Sequence, residues 1–248
     1  MSMLGLGKGV WKPEVISKRS FVNPKDYFGG DLVVWYQKGQ VNMRKADDST
    51  PEPGDEVRTW TDLSDPDGNN AVGTTSLPKL SNTGAGTPQE GNLWFNNQID
   101  FMDFTELTFD GKFSIYARLQ MTGTVNSDIF LSDKDTDNEF FRLKPDEIRA
   151  KLSGAAMDWT PDGAIVTDVY YTFGFERNAS NLISVFKNKV AQVYDTSSSY
   201  GATAVNATEF SFDQIGGGNF TGYFSDIVIV DRDLTDSERA DLYNYFEA

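Results

Sequence analysis

The chain contains no cysteine and no histidine. The first absence excludes disulfides and thiol nucleophiles; the second excludes Ser-His-Asp triads and imidazole-based zinc or iron centres. Any chemistry must rest on carboxylates, Lys, Tyr, Arg or Ser. Long apolar runs are missing too, so no stretch predicts a membrane span. Residues 1–10, glycine-rich and interrupted by Lys8, are too short an apolar core for a signal peptide. Cations are scarce relative to anions, 22 Lys and Arg against 37 Asp and Glu, for a net charge of −15. That argues against nucleic acid as a partner, because neutralisation of phosphates by Lys and Arg supplies most of that affinity.

What is present suits an all-β chain. A 248-residue sequence with 39% hydrophobic and 13% aromatic residues builds a large core, and 22 Gly with 9 Pro fit many strands joined by tight turns. One domain plus an appendage is the simplest organisation. Residues 1–30 show no sustained period: Gly5, Gly7, Gly9, Pro13 and Pro24 break it, and Gly29-Gly30 marks a joint. Lys8, Lys12, Lys18, Arg19 and Lys25 outweigh Glu14 and Asp26 there, so a basic arm precedes an acidic body. The expected division is an extended arm over 1–30 and a β-sandwich over 31–248.

Within the body, Leu32-Val33-Val34-Trp35-Tyr36 opens the first strand. Residues 42–58, 71–92 and 195–208 read as long loops. Phe113, Ile115, Ala117, Leu119 and Met121 alternate strictly and predict a strand with one buried face. Asp110-Gly111 before it is a hairpin signal. Runs at 128–132, 139–144 and 147–152 predict a meander, and strands at 169–177 and 182–190 are joined by Asn178-Ala179-Ser180-Asn181. Thr235 and Glu238 form a capping box ahead of a short helix whose buried face is Leu242, Tyr243 and Phe246. Trp35, Trp60 and Trp94 sit inside strand-like runs and belong to the core. Trp159, beside Thr160-Pro161-Asp162-Gly163, is the tryptophan expected to be exposed and free to stack on a sugar ring.

Two acidic groups invite a metal. Asp133-Lys134-Asp135-Thr136-Asp137-Asn138-Glu139 fails as an EF-hand loop, having Asn138 where Gly is needed and Lys144 where a bidentate Glu is needed. Asp62, Asp65, Asp67 and Asn69 form an alternative oxygen cluster for calcium, although acidic loops are more often only solvated turns. No other cofactor is expected.

The closing stretch, Gly216-Gly217-Gly218 through a strand to Asp231-Arg232-Asp233-Leu234-Thr235 and Glu238, resembles the end of laminin-G-like, concanavalin-A-like jelly-roll domains. Trp60-Thr61-Asp62-Leu63-Ser64 with Gly68-Asn69, and Ile99-Asp100-Phe101, resemble further segments of the same families. The resemblance implies an antiparallel two-sheet jelly-roll sandwich with a short C-terminal helix. Glycosidases on that fold use a Glu-x-Asp-x-x-Glu string, absent here, and its polysaccharide lyases lean on a His; Asp100 and Asp103, flanking Phe101-Met102, are a weak substitute. No catalytic activity is therefore expected. With its Met1-to-Gly7 glycine-bearing arm, the chain resembles virion structural proteins of tailed bacteriophages, decorating a capsid or forming part of a tail or fibre. That resemblance implies a protein made in the host cytoplasm and incorporated in the virion, with other virion proteins and copies of itself as partners. Met3, Leu4, Leu6, Val10 and Trp11 would dock the arm, with Lys8, Lys12, Lys18 and Arg19 adding charge. The alternatives are an adhesin that grips host polysaccharide and, third, a glycan-cleaving enzyme; fold alone does not choose among them.

Overall fold

The computed structural model describes residues 23–65, 68–82, 87, 89–96, 99–123, 128–136, 139–152, 154–197 and 210–247. Two antiparallel sheets face each other, as the sequence leads one to expect. The first runs edge to edge through Val190–Ala191, Ile183–Lys187, Tyr170–Arg177, Phe113–Met121, Gly222–Val230, Leu93–Phe95 and Lys79–Leu80, and Leu32–Gln37 also pairs with Gly222–Val230. The second runs through Val193–Tyr194, Ala155–Thr160, Glu147–Leu152, Phe140–Lys144, Asp128–Ser132, Phe210–Gly216, Phe101–Phe109, Ala71–Val72, Thr59–Trp60 and Met43–Arg44.

Period-2 alternation sends one set of side chains from each sheet into the space between them. Phe113, Ile115, Leu119, Phe173, Phe175, Ile227 and Ile229 come from the first sheet, and Phe130, Phe141, Leu143, Ile148 and Phe212 from the second. The rings of Phe141 and Phe175 meet across the gap at 4.1 Å between centroids. The Phe113–Met121 strand is buried on both faces over most of its length, because the C-terminal helix, Asp236–Phe246, covers the outer side of its first half. Tyr116, Val228, Trp35 and Phe186 pack there against Leu242, Tyr243 and Phe246. The expected capping box opens this helix, with Thr235 accepting from the backbone of Glu238 and Glu238 reaching back to Thr235.

Several expectations are corrected. Asp110-Gly111 does not form a hairpin: the strands on either side of it lie in different sheets, so the chain turns a corner there. Phe109 and Phe113 enter the core from opposite sheets with rings 5.5 Å apart, and Arg177 donates to the Gly111 carbonyl at 2.9 Å. A two-residue hairpin turn does occur at Asn188-Lys189, where both residues have positive φ, the geometry of a type I′ hairpin in which Asn-Gly is usual. The loops at 42–58 and 71–92 contain short strands at Met43–Arg44, Ala71–Val72 and Lys79–Leu80.

The end of the arm is also not free. Pro24–Phe28 is a helical turn whose backbone at Lys25 is capped by Asn23, and Phe28 is buried against the outer cluster. Tyr27 donates to Asp241 at 3.1 Å, and Arg232 lies over the Phe28 ring and donates to Asp31. Tyr27 and Phe28 of that turn thus cover an apolar surface of the sandwich. Met3, Leu4, Leu6, Lys8, Val10, Trp11, Lys12, Lys18 and Arg19 lie outside the described residues.

Candidate functional site

The C-terminal helix covers only half of the first sheet's outer face. On the other half, strand register builds a row across five strands. Lys79 pairs with Trp94, Trp94 with Tyr223, Tyr223 with Gln120, and Gln120 with Tyr170. Residues directly opposite in an antiparallel ladder point to the same face, and at ~4.8 Å per strand the stretch from Trp94 to Tyr170 spans about 14 Å. Trp94 and Tyr223 are half-buried and stacked, with centroids 5.9 Å apart and planes 17° apart. Gln120 lies beneath and accepts from Gln89 of the neighbouring loop at 3.1 Å. The amide of Asn92 donates to the Tyr170 hydroxyl. Burial holds the Tyr170 and Tyr223 hydroxyls above their ordinary range, with Asp168 adding to the effect at Tyr223. Both are therefore neutral donors near neutral pH, each on an aromatic ring.

A second row lies one step toward the helix, where Gln37 pairs with Asp226, Asp226 with Arg118, and Arg118 with Thr172. The Arg118 guanidinium sits 5.3 Å from the centroid of the Tyr170 ring. Asp226 is buried, and burial raises its carboxyl above the usual range against the pull of its hydrogen bonds. Ser225 donates to one of its oxygens and Tyr245 to the other at 3.0 Å, while Tyr245 accepts from Trp35 Nε1 at 2.8 Å. An open depression of about 590 Å³ adjoins this region, between Lys38–Gln40, Leu80–Asn82 and Glu90–Gly91. It is held together by the bond from the Gly39 amide to the Gly91 carbonyl.

The tryptophans change places relative to the sequence reading. Trp159 is 2% exposed, because Ala155–Thr160 is a strand rather than a turn and Trp159 pairs with Ile148, facing inward against Tyr194. Trp94, expected in the core, is the one tryptophan among the described residues that is not buried. Alternation along Gly222–Val230 and Phe113–Met121 does signal that Tyr223, Arg118 and Gln120 face away from the core. The pairing that aligns them with Trp94 and Tyr170 is a long-range register that no local pattern contains.

Of the expected calcium ligands, Asp62 is turned inward: one of its oxygens accepts from the Trp35 amide at 2.9 Å and from the Ser64 amide and hydroxyl. Asn69 accepts the Tyr36 hydroxyl at its carbonyl, and the Asp65 carbonyl accepts from Gly68. These bonds build the loop onto the Leu32–Gln37 strand, and Asp67 lies outside the described residues. Elsewhere Asp133, Asp135 and Asp213 bring oxygens within 4.8 Å of one another, with the Lys134 ammonium seated on Asp213 at 2.7 Å. Asp100 and Asp103 do not converge. Asp100 is buried and accepts from Ser76 and the Asn96 amide, whereas Asp103 accepts from Gln214.

No family model matches this sequence, and no curated protein matches it. Among solved structures, the chain is similar to a sialidase of Trypanosoma rangeli (TM-score 0.55, 13% identity), covering 86% of this chain and 33% of the sialidase. It is similar to the binding domain of Paraclostridial mosquitocidal protein 1 (TM-score 0.56, 15% identity), covering 90% of this chain and 53% of that one. It is also similar to domain 4 of an extracellular arabinanase from Geobacillus stearothermophilus, solved with arabinotriose (TM-score 0.56, 15% identity), over 86% of this chain and 98% of that domain. The chain spans about a third of the length of the sialidase. What it shares with all three is the architecture of a β-sandwich.

Proposed function

We propose that this β-sandwich binds carbohydrate on Trp94, Tyr223 and Tyr170, the partly exposed members of the row over buried Gln120, and does so without cleaving it. The observation that carries the reading is the partly exposed Trp94–Tyr223 stack, with the Tyr170 ring and its hydroxyl farther along the same row. A sugar ring has an apolar C–H face and a rim of hydroxyls, so it is complemented by flat aromatic rings with polar tips beside them. The row is long enough for a short oligosaccharide. The likeness to a toxin's binding domain and to an arabinanase domain solved with arabinotriose supports the same reading. The non-catalytic part is supported at Asp226, the carboxylate on the second row, which is buried with both oxygens accepting hydrogen bonds.

A virion protein displaying such a sandwich outward would use the row to meet host surface polysaccharide. That placement rests on the sequence resemblance, since the arm residues behind it lie outside the described structure.

A glycan array followed by calorimetric titration of the bound sugars tests the proposal. Binding by the wild type and its loss in Trp94→Ala, with the fold retained, is the expected result. Folded wild-type protein that binds no glycan, or Trp94→Ala that binds equally well, overturns it. Reducing-sugar release from a bound glycan overturns the non-catalytic part alone.

A further inference from the structure

Resting on the carbohydrate reading, we infer that the row is built for an acidic sugar, with Arg118 receiving the carboxylate. Every other arginine among the described residues that is not exposed is hydrogen-bonded. Arg44 and Arg177 bind backbone carbonyls, and Arg142, Arg149, Arg232 and Arg239 bind carboxylates. Arg118 is half-buried, yet among the described residues its guanidinium makes no hydrogen bond or ion pair. Its contact is the face of Tyr170, which leaves the in-plane N–H donors unused.

Its neighbour across the ladder would be the obvious partner. Asp226 is the Cα partner of Arg118, but its two oxygens are held by Ser225 and Tyr245. A partly desolvated cation with five donors and no acceptor is an unfavourable arrangement for a site meant to stay empty. A carboxylate matches the guanidinium edge in a two-bond fork, which a single hydroxyl does not. The aromatic pair one row away supplies the seat for the ring that carries that carboxylate. Together these features describe a sugar acid, uronic or sialic.

The surrounding charge is mixed. Lys38, next to Gln37, and Lys79, at the end of the row, are cationic; Asp168 and Glu90 are exposed acids nearby. The net charge of −15 repels an anion at a distance, but screening confines that repulsion to about 8 Å at physiological ionic strength. Contact with Arg118 then decides the preference.

The test uses matched pairs of ligands on the full chain: tetragalacturonate and sialyllactose, each beside its carboxyl-reduced neutral form, titrated calorimetrically. The expected result is that at least one acid binds about tenfold or more tightly than its reduced form. Arg118→Gln should abolish that difference while still binding the neutral form, and Trp94→Ala should weaken both forms. Equal affinity of wild type for acid and reduced forms overturns the inference and leaves the carbohydrate reading standing, as does a difference that survives in Arg118→Gln. If folded wild type binds none of these nor any sugar on the array, both fail. Because the wild-type comparison needs no substitution, an Arg118 variant that does not fold leaves the test intact.

Discussion

Arg239 on the C-terminal helix holds both carboxylate oxygens of Glu176 on the sheet below, Nε to Oε1 at 3.0 Å and Nη2 to Oε2 at 2.9 Å. Tyr116 donates to the same carboxylate, and the guanidinium lies 4.3 Å from the centroid of the Phe186 ring. The pair fastens the helix over the half of the sheet that would otherwise expose Tyr116 and Val228.

Removing one member leaves the other charged and largely buried, so Arg239→Met should cost about 3–5 kcal/mol. Replacing both, as Arg239→Met with Glu176→Leu, should recover most of that loss, because two apolar groups carry no unpaired charge. Urea unfolding of Arg239→Met, Glu176→Leu and the double variant measures this. A double variant no more stable than the worse single variant would show that the site depends on shape rather than charge.

Glu238 is the acid of the capping box, and the Arg232 guanidinium with the bonds at Thr235 brings its carboxyl down to about 2 from the usual 4.5. A depressed folded value means the stabilisation is complete above the unfolded pKa and is lost as pH falls through the folded one. Thermal stability should therefore drop between about pH 4.5 and pH 2, and Glu238→Gln should remove that part of the pH dependence while lowering stability at neutral pH. Emission from Trp35, whose Nε1 donates to Tyr245 on this helix, reports the helix coming away. Identical acid profiles for the two proteins would contradict this account.

Gly174 lies under the Tyr116 ring. A Cβ built there would come within 2.2 Å of the ring, and the ring cannot swing aside without giving up Glu176 and the edge of Tyr243. Gly174→Ala should destabilise by about 1–3 kcal/mol through overpacking, although alanine suits a strand better than glycine does. A neutral or stabilising effect in thermal unfolding would mean that Tyr116 has another place to go.

The elements read from local pattern were those whose side chains alternate strictly or cap in sequence: Phe113–Met121, the Thr235 box, and the turn at Asn178 to Asn181. Each is determined within a few residues. The two-residue strands at Ala71–Val72 and Lys79–Leu80 have no pattern long enough to see and exist because neighbouring strands pair with them. The corner at Asp110-Gly111 uses the same two residues a hairpin would; what separates them is that Phe109 and Phe113 face each other across the core. The candidate site was the least legible part. Trp94 looks like a core residue beside Leu93 and Phe95, yet in a three-residue strand with both neighbours buried, alternation turns the middle residue outward. Its partners come from strands near residues 120, 170 and 223, so the row exists only once the sheet is assembled.

That placement separates the contribution of Trp94 to stability from its contribution to binding. Trp60 is fully buried and stacked on Tyr36, so Trp60→Ala should cost about 3–5 kcal/mol. Trp94 loses less on truncation, because it is partly exposed and gives up the stack with Tyr223, worth about 0.5–1.5 kcal/mol. Trp94→Ala should therefore stay folded and lose glycan affinity, whereas Trp94→Phe, which keeps a flat ring over Tyr223, should retain part of both. Thermal unfolding and titration on the same three proteins give the comparison. If Trp94→Ala were as destabilised as Trp60→Ala, the ring would be serving the core, and the row would lose its standing as a binding surface.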